Sequence, residues 1–251
     1  MKFEEKNLIL RRPYKSVYHI GDAVVKVFDE THPKANVFNE AFNTAKIEEA
    51  GLSIPKVISL EEVDGKWALA IEYKAGKTLE NLMEAHPDKS DFYIEKFVEK
   101  QVEIHKQSVS GLKVMKEKFS EIINNLKILD ATVRYELLTR LESMPKHKKI
   151  CHGDFVPSNI IVDEDDNMTV VDWAHVTVGN ASGDAAITYL NLAMINEELA
   201  DKYLKLYCQK SDTALQYVRQ WLPIVAAVQL SKDNHFDKDF LMKWIDVMDF
   251  Q

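Results

Sequence analysis

A carboxylate at Asp154, a carboxamide at Asn159 and a second carboxylate at Asp172 stand around two short apolar segments, Ile160–Val162 and Met168–Val171. The segments flank the polar run DEDDN, a pattern that predicts a hairpin with a solvated turn whose second strand delivers Asp172 just past its end. Three such oxygen-bearing groups have a specific chemical use. Two hold magnesium on a nucleoside triphosphate, and the remaining carboxylate receives a hydroxyl. The acids inside the turn, Asp163 to Asp166, need no such role, because Asp and Asn side chains bond their own backbone in turns. Asp154, Asn159 and Asp172 differ in sitting against apolar strand segments, with His152 and Gly153 immediately ahead of them. The pattern points to phosphoryl transfer.

The order HGDFVPSN followed by VVDW resembles the catalytic and metal-binding segments of the aminoglycoside phosphotransferase and choline kinase-like family, relatives of the protein kinases. The resemblance implies an α+β, bilobal protein kinase-like fold. A small N-terminal antiparallel-sheet lobe, residues 1–74, would bind the nucleotide; a larger, mainly helical C-terminal lobe, residues 75–251, would carry the catalytic and acceptor-binding groups. By the same resemblance Asp154 is the carboxylate that orients the acceptor hydroxyl and takes its proton, Asn159 and Asp172 are magnesium ligands, and His152 braces the loop. The donor is ATP or GTP, and the acceptor is a hydroxyl of a small molecule such as an aminoglycoside or an amino alcohol. Two alternatives stay open: a nucleotide-binding regulatory protein that has kept the kinase shape, and an enzyme with a protein acceptor.

These groups need elements to position them. Strands are expected at Asn7–Leu10, Val17–Ile20 and, after the turn residues Gly21 and Asp22, at Ala23–Phe28, where AVVKVF is rich in β-branched residues. Lys26 interrupts that run, and its long stem can pack in the sheet while the ammonium group reaches a cleft. In the family it would meet the α- and β-phosphates. Its acidic partner is expected on the next helix, Asn36–Glu49, ended by Gly51. Glu40 is the best match, with Glu48 and Glu49 as alternatives. The family places a glycine-bearing phosphate loop between the first two strands, but no glycine occurs from Arg11 through Ile20. Ser16 is then the expected phosphate donor, with Lys15, Arg11 and Arg12 adding charge or forming a solvated basic edge. Strands are also expected at Lys56–Leu60 and Trp67–Tyr73. The backbone at Glu72, Tyr73 and Lys74 would bond the edge of the nucleotide base, and Gly76 marks a bend before a helix beginning at Thr78.

The remainder reads as helices at Asp91–Gln107, Met115–Leu129, Thr132–Ser143, Glu197–Lys210, Asp212–Leu230 and Lys238–Asp249, with breaks near Ser211 and Asn234 and a kink or restart at Pro223. His105 resembles a residue of the helix that buttresses the catalytic loop. Asp184 resembles the aspartate that opens a helix after the second metal ligand, accepting backbone amides there and tying the loop to the helical lobe. Gly179-Asn180-Ala181 departs from the family pattern, which predicts a looser or differently routed loop. Asp233, Asp237, Asp239, Asp246 and Asp249 could meet an aminated acceptor or form a solvated acidic face.

Composition bounds the possibilities. With 40 acidic against 32 basic side chains the formal charge is −8, which argues against nonspecific nucleic-acid binding. No apolar run is long enough to cross a bilayer and the N-terminus has no signal pattern, so no membrane partner is expected. Cys151 and Cys208 lack metal-ligand spacing and are expected as free thiols in a cytoplasmic protein. Cys151 beside His152 is a weak candidate nucleophile, since the neighbouring Asp154 and Asn159 explain the loop better.

Overall fold

The computed structural model describes residues 3–232 and 237–245. The chain divides into two compact units: the chain through Leu82 together with Ser158–His175, and Met83–Pro157 together with the chain from Val176 onward.

The first unit is built on a five-stranded antiparallel sheet in the order β1-β2-β3-β5-β4. Its strands are β1 (Leu8–Arg12), β2 (Lys15–Ile20), β3 (Ala23–Phe28), β4 (Val57–Val63) and β5 (Lys66–Glu72). Asp64 and Gly65 join β4 to β5 with both residues at positive φ, 51° and 77°, the turn that matches strand twist in a tight hairpin. Both strands therefore run closer to the turn than the sequence suggests. The sheet has two dissimilar faces, as strand alternation requires. Val25, Val27, Ala68 and Ala70 pack with Phe3, Tyr18 and Ile20 on one. Phe28, Leu69 and Ile71 pack against Val37 and Ala41 of helix α1 (Lys34–Glu49) on the other. Gly51, at φ 76°, terminates α1 as expected.

A second, three-stranded sheet pairs β6 (Lys77–Thr78) with β8 (Ile160–Val162), and β8 with β9 (Met168–Val170). This pairing brings the predicted hairpin into the first unit. The boundary expected at residue 74 accordingly falls at Leu82, within helix α2 (Leu79–Ala85). Gly76 makes the approach possible: at φ 145°, a Cβ there would lie 2.3 Å from the Val162 carbonyl oxygen.

The second unit is helical: α3 (Ser90–His105), α4 (Met115–Asn125), α5 (Ala131–Ser143), α6 (Ala181–Ala193), α7 (Glu197–Ser211), α8 (Leu215–Arg219), α9 (Leu222–Leu230) and α10 (Lys238–Ile245). One short strand pair accompanies them, β7 (Lys149–Cys151) antiparallel to β10 (Thr177–Gly179). Residues Leu222–Leu230 of α9 are buried on every side, and so is α6 from Ser182 to Leu192, marking the centre of this core.

Of the kink or restart expected at Pro223, the restart is found: the stretch Asp212–Leu230 holds two helices, α8 and α9. Asp212 adopts a left-handed conformation that closes α7, and Pro223, which has no N–H to donate, sits in the first turn of α9. Asp237 and Asp239 are exposed, and Asp237 caps the start of α10 by accepting the amides of Asp239 and Phe240. The expected break at Asn234 and the acids Asp233, Asp246 and Asp249 lie outside the described residues.

Candidate active site

In the first unit, β3 carries Lys26 on the sheet face that packs against α1. The side chain is only 8% exposed. Its ammonium group lies 2.5 Å from Glu40 Oε1 and 2.8 Å from Asp172 Oδ1. Burial works against the charged amine, but Asp172 and Glu40 outweigh it and hold Lys26 above its ordinary 10.5. Of the three glutamates considered, Glu40 alone reaches Lys26. Glu48 accepts the Val57 amide at 2.7 Å, and Glu49 pairs with Lys46.

Asp172 follows β9 in a left-handed conformation, φ 64°. The Val171 amide donates to the Asn159 carbonyl at 2.9 Å, so Asn159 and Asp172 flank adjacent ends of one hairpin. Burial alone would raise the Asp172 carboxyl; the charges of Lys26 and Lys15 override it and keep the group far below its ordinary 3.8. Lys15 Nζ stands 3.5 Å from Asp172 Oδ2. An ionised carboxylate beside an amide-bearing residue is a hard-oxygen donor set that suits magnesium arriving with phosphates. Among the described residues no group of three or more His, Cys, Asp or Glu side chains forms a protein-only metal cage.

Two sequence expectations change here. Cross-strand register pairs Val17 with Lys26 and Ser16 with Val27. Alternation therefore turns the Ser16 side chain to the face opposite Lys26, and Lys15 is the residue of that turn that reaches Asp172. At the expected base-binding segment, the Glu72 amide donates to the Lys56 carbonyl at 2.8 Å and the Tyr73 amide to the Asp22 carbonyl at 2.9 Å, so sheet pairing already uses both donors. The Tyr73 ring stacks on His19 at 3.8 Å, and the Lys74 ammonium bonds the Glu72 carboxylate at 2.6 Å. Among the described residues, no backbone carbonyl outside the strands takes the Lys74 amide.

The loop bearing Asp154 belongs to the second unit. Asp154 is half-buried, and its amide donates to His152 Nδ1 at 3.2 Å, an imidazole with no exposed surface. Asp184 holds the same loop from α6, accepting the amides of Gly153 at 2.6 Å and His152 at 3.1 Å. It sits one turn inside the helix; the cap is Asn180, whose side chain accepts the Ser182 amide at 3.0 Å. Asp184 thus accepts backbone amides as anticipated, but from the loop rather than from its own helix. Gly179 and Asn180, where a looser or differently routed loop was expected, run from β10 straight into α6 and are buried.

A network from three helices completes the support. His105 on α3 meets Asp184 at 2.9 Å and the Tyr207 hydroxyl of α7 at 3.0 Å. Gln101 donates to Thr188, Tyr203 donates to Gln101, and the Thr188 hydroxyl reaches the Phe155 carbonyl at 3.0 Å. Burial opposes ionisation of Asp184, and the His105 hydrogen bond leads the interactions that nevertheless keep it below 3.8. The sequence singled out His105 but not Gln101, Thr188, Tyr203 or Tyr207. Cys151, fully buried, has its thiol pushed well above 9.0 by desolvation and then by the Asp184 charge, which removes it as a nucleophile.

The family model described as phosphotransferase enzyme family matches residues 13–221. No curated sequence is similar enough to this chain to count as a match. Among solved structures, a thermostable mutant of aminoglycoside phosphotransferase APH(4)-Ia in ternary complex with ADP and hygromycin B superimposes with a TM-score of 0.72 at 13% identity, over 96% of this chain and 92% of that one. ADP-bound aminoglycoside phosphotransferase APH(2'')-Ib gives 0.63 at 17% identity, over 95% and 90%. A choline/ethanolamine kinase family protein from Mesorhizobium loti gives 0.60 at 17% identity, over 97% and 89%. The fold is protein kinase-like: an N-terminal antiparallel sheet unit followed by a mainly helical one.

Proposed function

We propose, for a chain that belongs to the phosphotransferase enzyme family, that it moves the γ-phosphoryl group of ATP or GTP to a hydroxyl of a small molecule. The observation that carries this reading is the buried contact of Lys26 with both Glu40 and Asp172, a cation held ready beside an ionised acid. In this reaction Lys26, oriented by Glu40, binds the α- and β-phosphates. Asn159 and Asp172 would hold magnesium, which when bound neutralises charge on the phosphates. Asp154 orients the acceptor hydroxyl and takes its proton as the new oxygen–phosphorus bond forms and the bond to the β,γ-bridging oxygen breaks, releasing the nucleoside diphosphate. Asp184 and His152 fix the loop that presents Asp154. Lys74 is the member of the Glu72–Lys74 segment whose amide remains for a base edge.

The acceptor is an aminoglycoside, an amino alcohol or another hydroxylated small molecule. The named relatives favour the first two: one neighbour is complexed with hygromycin B and another is a choline/ethanolamine kinase family protein. A protein acceptor is less favoured, because the chain passes from Asp172 to the start of α6 at Ala181 without a long intervening segment. A nucleotide-binding regulatory role has one observation on its side, the absence of glycine from the β1–β2 turn. The free thiols of Cys151 and Cys208 suit a reducing, cytoplasmic setting.

The test is a magnesium-dependent transfer screen, offering ATP and GTP separately to aminoglycosides, amino alcohols, sugars and nucleosides with mass detection. An acceptor that gains one phosphoryl group, and fails to do so with the Asp154→Asn variant, supports the reading. Nucleotide binding without any product would move the weight to the regulatory role.

A further inference from the structure

The β1–β2 connection is the two-residue turn Pro13-Tyr14, with Arg12 directly opposite Lys15. It is short and has no glycine, so its amides lack the freedom to wrap around phosphate. It is instead firmly held. The Tyr14 carbonyl accepts the Asp29 amide at 2.9 Å, tying the turn to the end of β3. The Tyr14 ring lies 6.5 Å from His32, which stacks on Phe28 at 5.1 Å, and Phe28 is the cross-strand partner of Lys15. Lys15 therefore leaves a braced backbone on the same sheet face as Lys26, and its side chain, 25% exposed, ends 3.5 Å from Asp172.

We propose that Lys15 replaces a glycine-rich loop as the second cation on the triphosphate, a role that rests on the phosphotransferase reading above. Asp172 is shared by two ammonium groups. Were Asp172 to hold magnesium, its oxygens would no longer be shared with Lys15, while the bound phosphates would offer several anionic oxygens close by. Lys15 then exchanges its carboxylate partner for a phosphate oxygen, and Lys26 stays anchored by Glu40. The other basic residues of the turn are placed differently. Arg11 pairs with exposed Glu5 at 2.9 Å on the opposite face, and Arg12 is exposed on the edge strand and, among the described residues, enters no salt bridge.

The experiment measures dissociation constants of ATP and AMP, with magnesium fixed, by displacement of a fluorescent ATP analogue. Lys15→Met keeps the aliphatic stem and removes the charge. It is expected to weaken ATP about tenfold, the scale of one charge-assisted hydrogen bond, while AMP changes by less than about twofold. Lys15→Arg should retain most of the ATP affinity. Unchanged ATP binding in Lys15→Met, an equal loss for AMP, or an equal loss in Arg12→Ala would overturn the role. Failure of the native protein to bind either ATP or GTP would instead overturn the phosphotransferase reading, and this proposal with it.

Discussion

Asp154 and Asp172 are chemically alike, yet their surroundings separate the uses proposed for them. Asp172 is half-buried, touches two ammonium groups and stays ionised, while Asp154, also half-buried, sits on a loop braced by histidine and backbone contacts. Asp154→Asn is therefore expected to lower the transfer rate by about 10²- to 10⁴-fold, the usual worth of a positioned proton acceptor, with nucleotide affinity little changed. Single-turnover rates beside equilibrium titrations check this, and near-native turnover would remove Asp154 from the chemistry. Asp172→Asn keeps a residue type that tolerates the left-handed backbone at this position but discards the charge. It is expected to weaken magnesium-dependent nucleotide binding by about tenfold or more. A titration whose magnesium dependence matches the native protein would count against the metal role. At this scale the sequence was informative about residue type and order, because Asp154, Asn159 and Asp172 stand out against apolar neighbours. It was silent on Gln101, Thr188, Tyr203 and Tyr207, which look like ordinary core positions of separate helices until those helices pack.

Strand parity explains the main misreading at the level of elements. The sequence located β2 but not its register, and a one-residue difference decides which face a side chain takes. Ser16 was expected beside the phosphates, whereas its pairing with Val27 puts its side chain on the face opposite Lys26, and Lys15 shares the Lys26 face. The core-facing run of β3, the α1 stop at Gly51 and the β8–β9 hairpin were legible because each has a local signature: β-branched residues, a left-handed glycine, a polar turn between apolar segments. The pairing of β6 with β8 had no such signature, since it joins residues far apart in the chain. Its dependence on Gly76 is testable. Gly76→Ala would drive a methyl group into the Val162 carbonyl and also disfavour the backbone's φ of 145°. A loss of about 3 kcal/mol is expected in urea unfolding, with reduced amide protection at Lys77 and Thr78 by hydrogen exchange. Native stability in the variant would mean the hairpin is not tightly docked on β6.

Each unit holds an acid kept below its ordinary value of 3.8 by its partners, partly buried Asp172 in the first and fully buried Asp184 in the second. As pH falls, the unfolded chain takes up protons on these positions before the folded one does, so acid favours unfolding. The stability they contribute is fully present above 3.8 and is lost as pH drops through that value toward the folded-state ones. Urea midpoints followed by tryptophan fluorescence should fall together for both units between about pH 5 and pH 3. A midpoint constant over that interval would show that neither acid is held as the contacts indicate. The discontinuous make-up of the first unit reaches back into biosynthesis. At about 5–20 residues added per second, the ribosome finishes the five-stranded sheet several seconds before the partner strand of β6 has been made. During that interval Lys26 has Glu40 as a neighbour but no Asp172. A nascent chain released between Glu72 and Asp172 would contain every residue of the large sheet yet lack the acid through which it is proposed to hold the metal–nucleotide pair.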